Sequence, residues 1–390
     1  MARSEPSEAA TLARLQSIGL VSNVDRFVGA SLLVTLTRHF HAPLTQVALV
    51  TSGHLVAYGL CQLPWSAVLS RLGPVAVMRI ALLGAGVSAC LAALAPNLEW
   101  LILARVVGGS FLAAAVPAAL LYVGTRIHPD GRQRGFEGIV ASNGLGIILA
   151  VGIAILATAV DEWRLGYLAS GVMLTLSGLL VGTLRRPRTT DLFTTKGTAN
   201  SQPPVVSDRG HVGRTARAVG LVFVEGMVIV GAVLVLPALA EGAGQGRTTS
   251  AATVAVYGLA MSVTGLVTRR LPPLRTLATR VRAASLLICA PVLVLAVWPP
   301  LPALLTGAAL LGAAWSVLHP ALQDAATQSW PSRTPMVLAL FVSALFLGSA
   351  GGSQLFASLA EGPGRVAAGL TFVVGAALLQ LEERLTRRFA

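Results

Sequence analysis

The chain has 390 residues, of which 54% are hydrophobic and only 12% charged. Soluble domains carry roughly 25% charged residues, so an ordinary soluble enzyme is excluded in favour of a chain that crosses a bilayer many times. A net charge of +13 would point to nucleic acid in a soluble protein, but here the basic residues occupy short loops between apolar runs, where membrane topology accounts for them.

About 20 helical residues cross a hydrocarbon layer of about 30 Å. Residues 1–16 are polar and read as a cytoplasmic tail. They do not read as a cleavable signal, because the apolar run that follows is interrupted by Asp25 and Arg26 and carries no small-residue cleavage site. Apolar runs at 17–37, 46–69, 75–95, 99–122, 136–159 and 164–184 predict a first six-helix bundle over 17–184. Residues 185–215, rich in Arg, Thr, Ser, Gly and Pro, predict a basic cytoplasmic linker. Runs at 216–239, 250–268, 282–298, 302–321, 335–358 and 365–381 predict a second bundle over 216–381, and 382–390 a cytoplasmic tail. The expected fold class is therefore all-α integral membrane, with twelve transmembrane helices in two six-helix pseudo-repeats.

The charge pattern orients this layout. With both termini in the cytoplasm, the cytoplasmic loops hold Arg71, Arg79, Arg126, Arg132, Arg134 and the run from Arg269 to Arg282. The outer loops hold only Arg38, Arg164, Arg247 and Arg365, together with Glu99, Asp161, Glu162, Glu241 and Glu361. That is the positive-inside pattern. Lys196 is the only lysine beside many arginines. That usage suggests a GC-rich genome and hence a bacterial inner membrane.

The two sets also repeat. Arg71, Leu72 and Pro74 after span 2 recur as Arg270, Leu271 and Pro273 after span 8, and Val24-Asp25 in span 1 recurs as Val224-Glu225 in span 7. These matches fit a six-plus-six parallel repeat. With them the chain resembles the major facilitator superfamily over nearly its whole length. The family's loop motif Gly-x-x-x-Asp-Arg-x-Gly-Arg-Arg falls on Ser66 to Val75, keeping Arg71 and Gly73 but carrying Ser66 for Gly and Ser70 for Asp. The family's usual charge relay between the two halves thus lacks its loop carboxylate here. Arg105-Val-Val-Gly-Gly109 resembles the family's span 4 motif Arg-x-x-Gln-Gly. Asn143-Gly144-Leu-Gly146 and Gly152 resemble the glycine-rich antiporter motif of span 5 in drug:proton efflux members, without its Gly-Pro pair. Trp163 and Arg164 also resemble the family. The resemblance implies the major facilitator fold, alternating access and a cavity lined by spans 1, 4, 7 and 10. Arg71, Gly73, Gly109, Gly144 and Gly146 are the gating and motif positions it implies.

Charges inside a span cost roughly 2.5–3.5 kcal/mol on insertion scales, so they face a cavity or a partner. Asp25 and Arg26 lie near the middle of span 1, Arg105 in span 4 and Glu225 near the middle of span 7. Asp25 and Arg26 are adjacent and point about 100° apart, so they pair poorly with each other. Asp25 can instead meet Arg105 across the cavity, either as a fixed ion pair or as a carboxylate that exchanges a proton for substrate. Glu225 has only apolar helical neighbours, Leu221, Val222, Val228 and Ile229. A carboxyl group held away from water there is either permanently neutral or a proton-coupling site. Asp25 and Glu225 are therefore the proton-coupling candidates. Arg26, Arg105, Tyr58, Trp315, Phe27 and Phe223 are the candidate cavity residues. His54 and His319 are further ionisable side chains within the spans, but a solitary histidine in a helix reads more readily as a packing residue.

These residues predict a proton-coupled secondary transporter that exports small organic molecules, as in drug resistance, working as a monomer. A proton-driven uptake permease is the alternative. No Walker A motif supplies ATP as a direct energy source. No cofactor or metal is expected, since Cys61, Cys90 and Cys289 sit in apolar runs without ligand spacing. An integral-membrane enzyme would need clustered acids or histidines at an interface, and the outer loops offer only Asp161-Glu162 and isolated acids. The intramembrane charges balance as Asp25 and Glu225 against Arg26 and Arg105, which leaves the charge of the cargo open.

Overall fold

The computed structural model describes residues 8–184, 208–268, 277–297 and 300–361, together with residue 377. All regular structure among them is helical. The first half comprises α1 (Glu8–Ser31), α2 (Leu33–Phe40), α3 (Leu44–Val47), α4 (Leu49–Leu72), α5 (Pro74–Ala93), α6 (Leu98–Leu112), α7 (Ala115–Arg126), α8 (Pro129–Ala159) and α9 (Arg164–Val181). The second comprises α10 (Asp208–Glu225), a π-turn (Gly226–Val230), α11 (Gly231–Gly242), α12 (Arg247–Thr268), α13 (Leu277–Val297), α14 (Pro300–Ser329) and α15 (Thr334–Glu361). Nine described helices are long and apolar enough to cross a membrane, or ten if the bent pair α1 and α2 is one span. The expected span over 365–381, the tail over 382–390 and most of the expected linker lie outside the described residues.

Several boundaries differ from the hydropathy reading for local reasons. Helix α1 begins at Glu8, within the stretch read as a tail. Thr11, Leu15 and Ile18 recur at helical spacing and are buried, and α1 packs along α8, where Gln16 lies against Gly138. Helix α10 likewise starts inside the stretch read as linker, and Thr215 pairs with Ser329 at 2.8 Å. Span 4 is broken at Ala113 and Ala114. Pro117 explains the break: its ring clashes with the carbonyl four residues back, at Ala113, and offers it no N–H. That carbonyl accepts instead from Gln62 Nε2 at 3.1 Å. Gly73, at φ 76°, closes α4 and opens α5.

Within each half the helices pack on one another, and the halves meet where α4 lies on α15 and α8 on α12. Small residues allow that approach. Ser343 donates to the Gly59 carbonyl at 2.8 Å, and Gly144 lies against Ser262. One end of the bundle is tied across the halves by three polar contacts. Arg38 pairs with Glu241, Arg247 pairs with Asp161 at 2.8 Å, and the Thr45 N–H donates to Glu361 at 3.0 Å. Chain alternation puts all six residues at the same membrane face.

Candidate functional site

The first buried charge centre belongs to the N-terminal half. Helix α1 presents Asp25 to α6, and Arg105 Nη1 donates to Asp25 Oδ1 at 2.8 Å while Nη2 donates to the Asp25 carbonyl, also at 2.8 Å. Ser170 of α9 donates to the same Oδ1 at 2.8 Å. His54 of α4 stands 3.9 Å from Oδ2 and contacts the Arg105 carbonyl through Nδ1 at 3.1 Å. The Tyr167 ring lies 5.4 Å from the Arg105 guanidinium. Asp25 and Arg105 are 1% and 2% exposed, so bulk solvent does not reach these contacts. Ion pairs closed to water on this scale persist only with such added hydrogen bonds. Gly109 makes the geometry possible, because its missing Cβ lets α6 rest on the His54 carbonyl.

The second centre belongs to the C-terminal half. Glu225 ends α10, immediately before the π-turn, and is fully buried. His319 Nδ1 of α14 lies 3.0 Å from Glu225 Oε2, and Oε1 has no partner among the described residues. The His319 ring stacks on Trp315 at 4.2 Å and meets Phe341 at 5.5 Å. The histidine side chain keeps 20% exposure beside a carboxyl group with none. Single π-turns recur at functional sites. This one is packed by glycines, since Gly226 touches the Leu345 carbonyl and Gly352 of α15 touches the Met227 carbonyl.

Between the centres lies the seam of the two halves. Arg26 lies under the rings of Phe346 at 4.5 Å and Tyr58 at 5.2 Å, and Nη1 donates to Asn23 Oδ1 at 3.3 Å. Phe27 stacks on Tyr257 of α12 at 6.4 Å. Tyr257 is within electrostatic range of both Arg26 and Glu225.

The structure therefore brings together Asp25 with Arg105, Glu225 with Trp315 through His319, and Arg26 with Tyr58. Phe223 joins neither centre, because its side chain is 40% exposed on the outer side of α10. Arg71 lies exposed at the end of α4, away from both. Gly146 packs against the Leu20 carbonyl, whereas Gly152 has nothing near it. His54, His319, Ser170, Tyr167, Phe346 and Tyr257 are the members that sequence reasoning passed over or ranked low. Each partner sits on another helix, so no local spacing marks it. Only the intramembrane position of the two histidines could have pointed to them.

The helical two-bundle fold, with buried ionisable groups in both halves, is that of a membrane transporter. The chain matches the family model described as Major Facilitator Superfamily over residues 17–380, and it belongs to that superfamily. Solved structures similar to it include a bacterial homolog of the human lysosomal transporter Spinster, inward-facing and occupied, at 17% identity, 98% coverage of each chain and TM-score 0.74. A D-xylose-proton symporter aligns at 13% identity, covering 95% of this chain and 97% of its own, with TM-score 0.77. The human organic anion transporter MFSD10 (TETRAN) aligns at 19% identity, covering 97% and 99%, with TM-score 0.69. At these identities the likeness shows the fold alone. No curated protein matches the chain by sequence.

Proposed function

We propose that the chain is a proton-coupled secondary transporter that exports small organic molecules, with Glu225 as the coupling carboxyl group. The observation that carries this reading is the Glu225–His319 pair: a fully buried carboxyl group with one oxygen unpartnered among the described residues, 3.0 Å from a histidine whose side chain is only partly buried. A proton arriving on His319 Nδ1 has a short path to Glu225 Oε2. A bare carboxylate inside a bilayer is costly, so the protonation state of Glu225 biases which arrangement of the halves is favoured. Asp25 likewise has one oxygen without a partner among the described residues, but its other oxygen is shared between the Arg105 guanidinium and Ser170. We assign it the role of fixing α1 against α6 and α9. The tied face, where Arg38, Glu241, Arg247 and Asp161 meet, is read as the outer one, with both termini in the cytoplasm of a cell whose inner membrane holds the chain.

The test uses everted membrane vesicles with an acid interior, a pH-sensitive dye, and a panel of cationic, anionic and neutral compounds. One class should dissipate the gradient with the wild-type chain and not with Glu225→Gln at equal expression. Dissipation unchanged in Glu225→Gln removes Glu225 from the coupling step. A proton-driven uptake permease would use the same pair with substrate moving inward alongside the proton, and the sign of net substrate flux in these vesicles separates the two.

A further inference from the structure

A cavity of about 650 Å³ opens where α4 and α6 of the first half meet α15 of the second, and no member of either charge centre lines it. Ser52, Val56 and Leu60 of α4, Val106 of α6, and Leu347 and Gly351 of α15 form its walls. Gly351 leaves one wall bare: a Cβ placed there meets no heavy atom within 4 Å, whereas the adjacent Gly352 is pressed against the Met227 carbonyl. The space therefore belongs to one face of α15. Leu49, Val56 and Leu60 at its rim are exposed, and exposed Leu63, Leu103 and Val107 extend the same apolar surface along α4 and α6. On helices that cross a bilayer such a surface meets hydrocarbon, so the cavity is a groove that opens sideways into the membrane.

Its polar groups are already paired. The Gln354 amide, turned so that both its ends are satisfied, accepts from Ser52 at 2.7 Å and from the Leu49 N–H at 3.2 Å, and donates to the Thr45 carbonyl at 3.2 Å. Ser110 donates to the Val106 carbonyl at 2.9 Å. Water held in a cavity needs several polar partners and gains little from groups that are already paired. An unfilled groove, in turn, forfeits the dispersion contacts that drive packing in lipid. Hydrocarbon fills the space without either penalty.

The dimensions select the occupant. The lining runs from Leu49 to Cys61, about 18 Å of helix at about 1.5 Å per residue. It starts one turn from Thr45, whose N–H meets Glu361 at the tied face, and covers about one leaflet of a hydrocarbon layer roughly 30 Å thick. Spread over that length, 650 Å³ gives a channel about 7 Å across. An extended hydrocarbon chain fits it, and a helix of a second copy, about 10–12 Å wide with its side chains, does not.

We infer that one acyl chain of a phospholipid, from the leaflet at the tied face, lies lengthwise in this groove, with its headgroup end at Leu49 and Gln354 and its terminus at Leu60 and Leu347. The walls come from both halves, so the seated acyl chain touches both and forms part of the seam. The inference goes beyond the proposed transport reaction and depends on neither its direction nor its coupling.

The experiment is photo-crosslinking of the full chain in phosphatidylethanolamine–phosphatidylglycerol vesicles. The probe is a trace of phosphatidylcholine with a diazirine near the headgroup, at mid-chain or at the chain end, and labelled residues are mapped by mass spectrometry. Diazirines near the headgroup should mark Leu49 and Ser52, those at mid-chain Val56 and Gly351, and those at the chain end Leu60, Cys61 and Leu347. Yields should be about tenfold above those on Leu165, Leu168 and Val172, an exposed ridge of α9 in the same leaflet. Gly351→Leu sets a side chain in the open space on a helix that favours leucine over glycine. It should bring the groove down to the level of the ridge and leave the ridge unchanged. Equal yields on groove and ridge, yields that do not follow depth, or undiminished groove yields in a folded Gly351→Leu overturn the inference. Labelling of the groove by a water-soluble carbene reagent in place of the lipid would show water there, and protection from both reagents would show protein; either result overturns it too. The depth profile of the wild-type chain decides the matter even where Gly351→Leu does not fold.

Discussion

The Asp25–Arg105 pair is open to a quantitative test by a double-mutant cycle. Both side chains are almost fully buried, two contacts of 2.8 Å join the two residues, and Ser170 donates at 2.8 Å to the same carboxylate oxygen. Removing one partner of such a pair strands the other charge in a medium that cannot solvate it, at a cost of about 3–5 kcal/mol. The two single variants should differ, because a carboxyl group can take up a proton and a guanidinium cannot lose one. Asp25→Leu, which strands Arg105, should therefore fall at the upper end of that range, and Arg105→Leu at the lower end. Asp25→Leu with Arg105→Leu strands neither charge. Replacing both ions by apolar groups is often close to neutral, so the double variant should cost less than either single one. The coupling energy should then exceed about 3 kcal/mol. Reversible unfolding of the four detergent-solubilised proteins in SDS, followed by the loss of helical circular dichroism, measures all corners. Costs that add to within about 0.5 kcal/mol would refute the ion pair as the organising contact of the N-terminal half. The transport assay adds a functional reading. The double variant should retain proton-linked flux if Asp25 only fixes the helices, and should lose it if Asp25 carries the proton.

Other expectations follow from particular contacts. His319→Ala should slow proton-linked flux without abolishing it, whereas Glu225→Gln abolishes it; equal loss in both would make the histidine an obligate carrier. Gln62→Leu leaves the Ala113 carbonyl unpaired and should cost about 1–3 kcal/mol. The cost should shrink in a Pro117→Ala background that restores an N–H four residues on, and an undiminished cost would refute this account of the break in span 4. Gly352→Val sets a branched side chain against the Met227 carbonyl and should destabilise the chain by about 1–3 kcal/mol in the SDS titration. A wild-type midpoint would mean that the glycine contact does not hold the π-turn. Arg38→Ala with Arg247→Ala removes two exposed pairs, each contributing about 0.2–1 kcal/mol. Spin-label distances across the tied face should broaden toward an open state, by no more than roughly thirtyfold in population, and an unchanged distribution would show that the pairs do not bias it.

Much of the architecture was legible in the chain because the bilayer allows so few solutions. Lipid can satisfy no backbone group, so apolar runs near 20 residues must be helices. The recurrence of Arg71 as Arg270 and of Asp25 as Glu225 reflects two copies of one bundle. The reading slipped where side-chain contacts override hydropathy. Helix α1 extends to Glu8 because Thr11, Leu15 and Ile18 find α8, and span 4 breaks because Pro117 denies Ala113 its donor.

The sequence by itself determined that the chain crosses a membrane as a helical repeat and that a few charges lie inside it. Those facts depend on composition and on spacing along one helix. Which charge meets which was decided only by the tertiary structure. Asp25 and Arg105 are 80 residues apart and Glu225 and His319 are 94 apart, so no local pattern joins them. Counted along the sequence, the acids and arginines cancel. Placed in the fold, the acids are taken by Arg105 and His319, and Arg26 is held by Asn23 and the rings of Tyr58 and Phe346, because in a medium of low dielectric a charge is governed by its nearest neighbours rather than by the total.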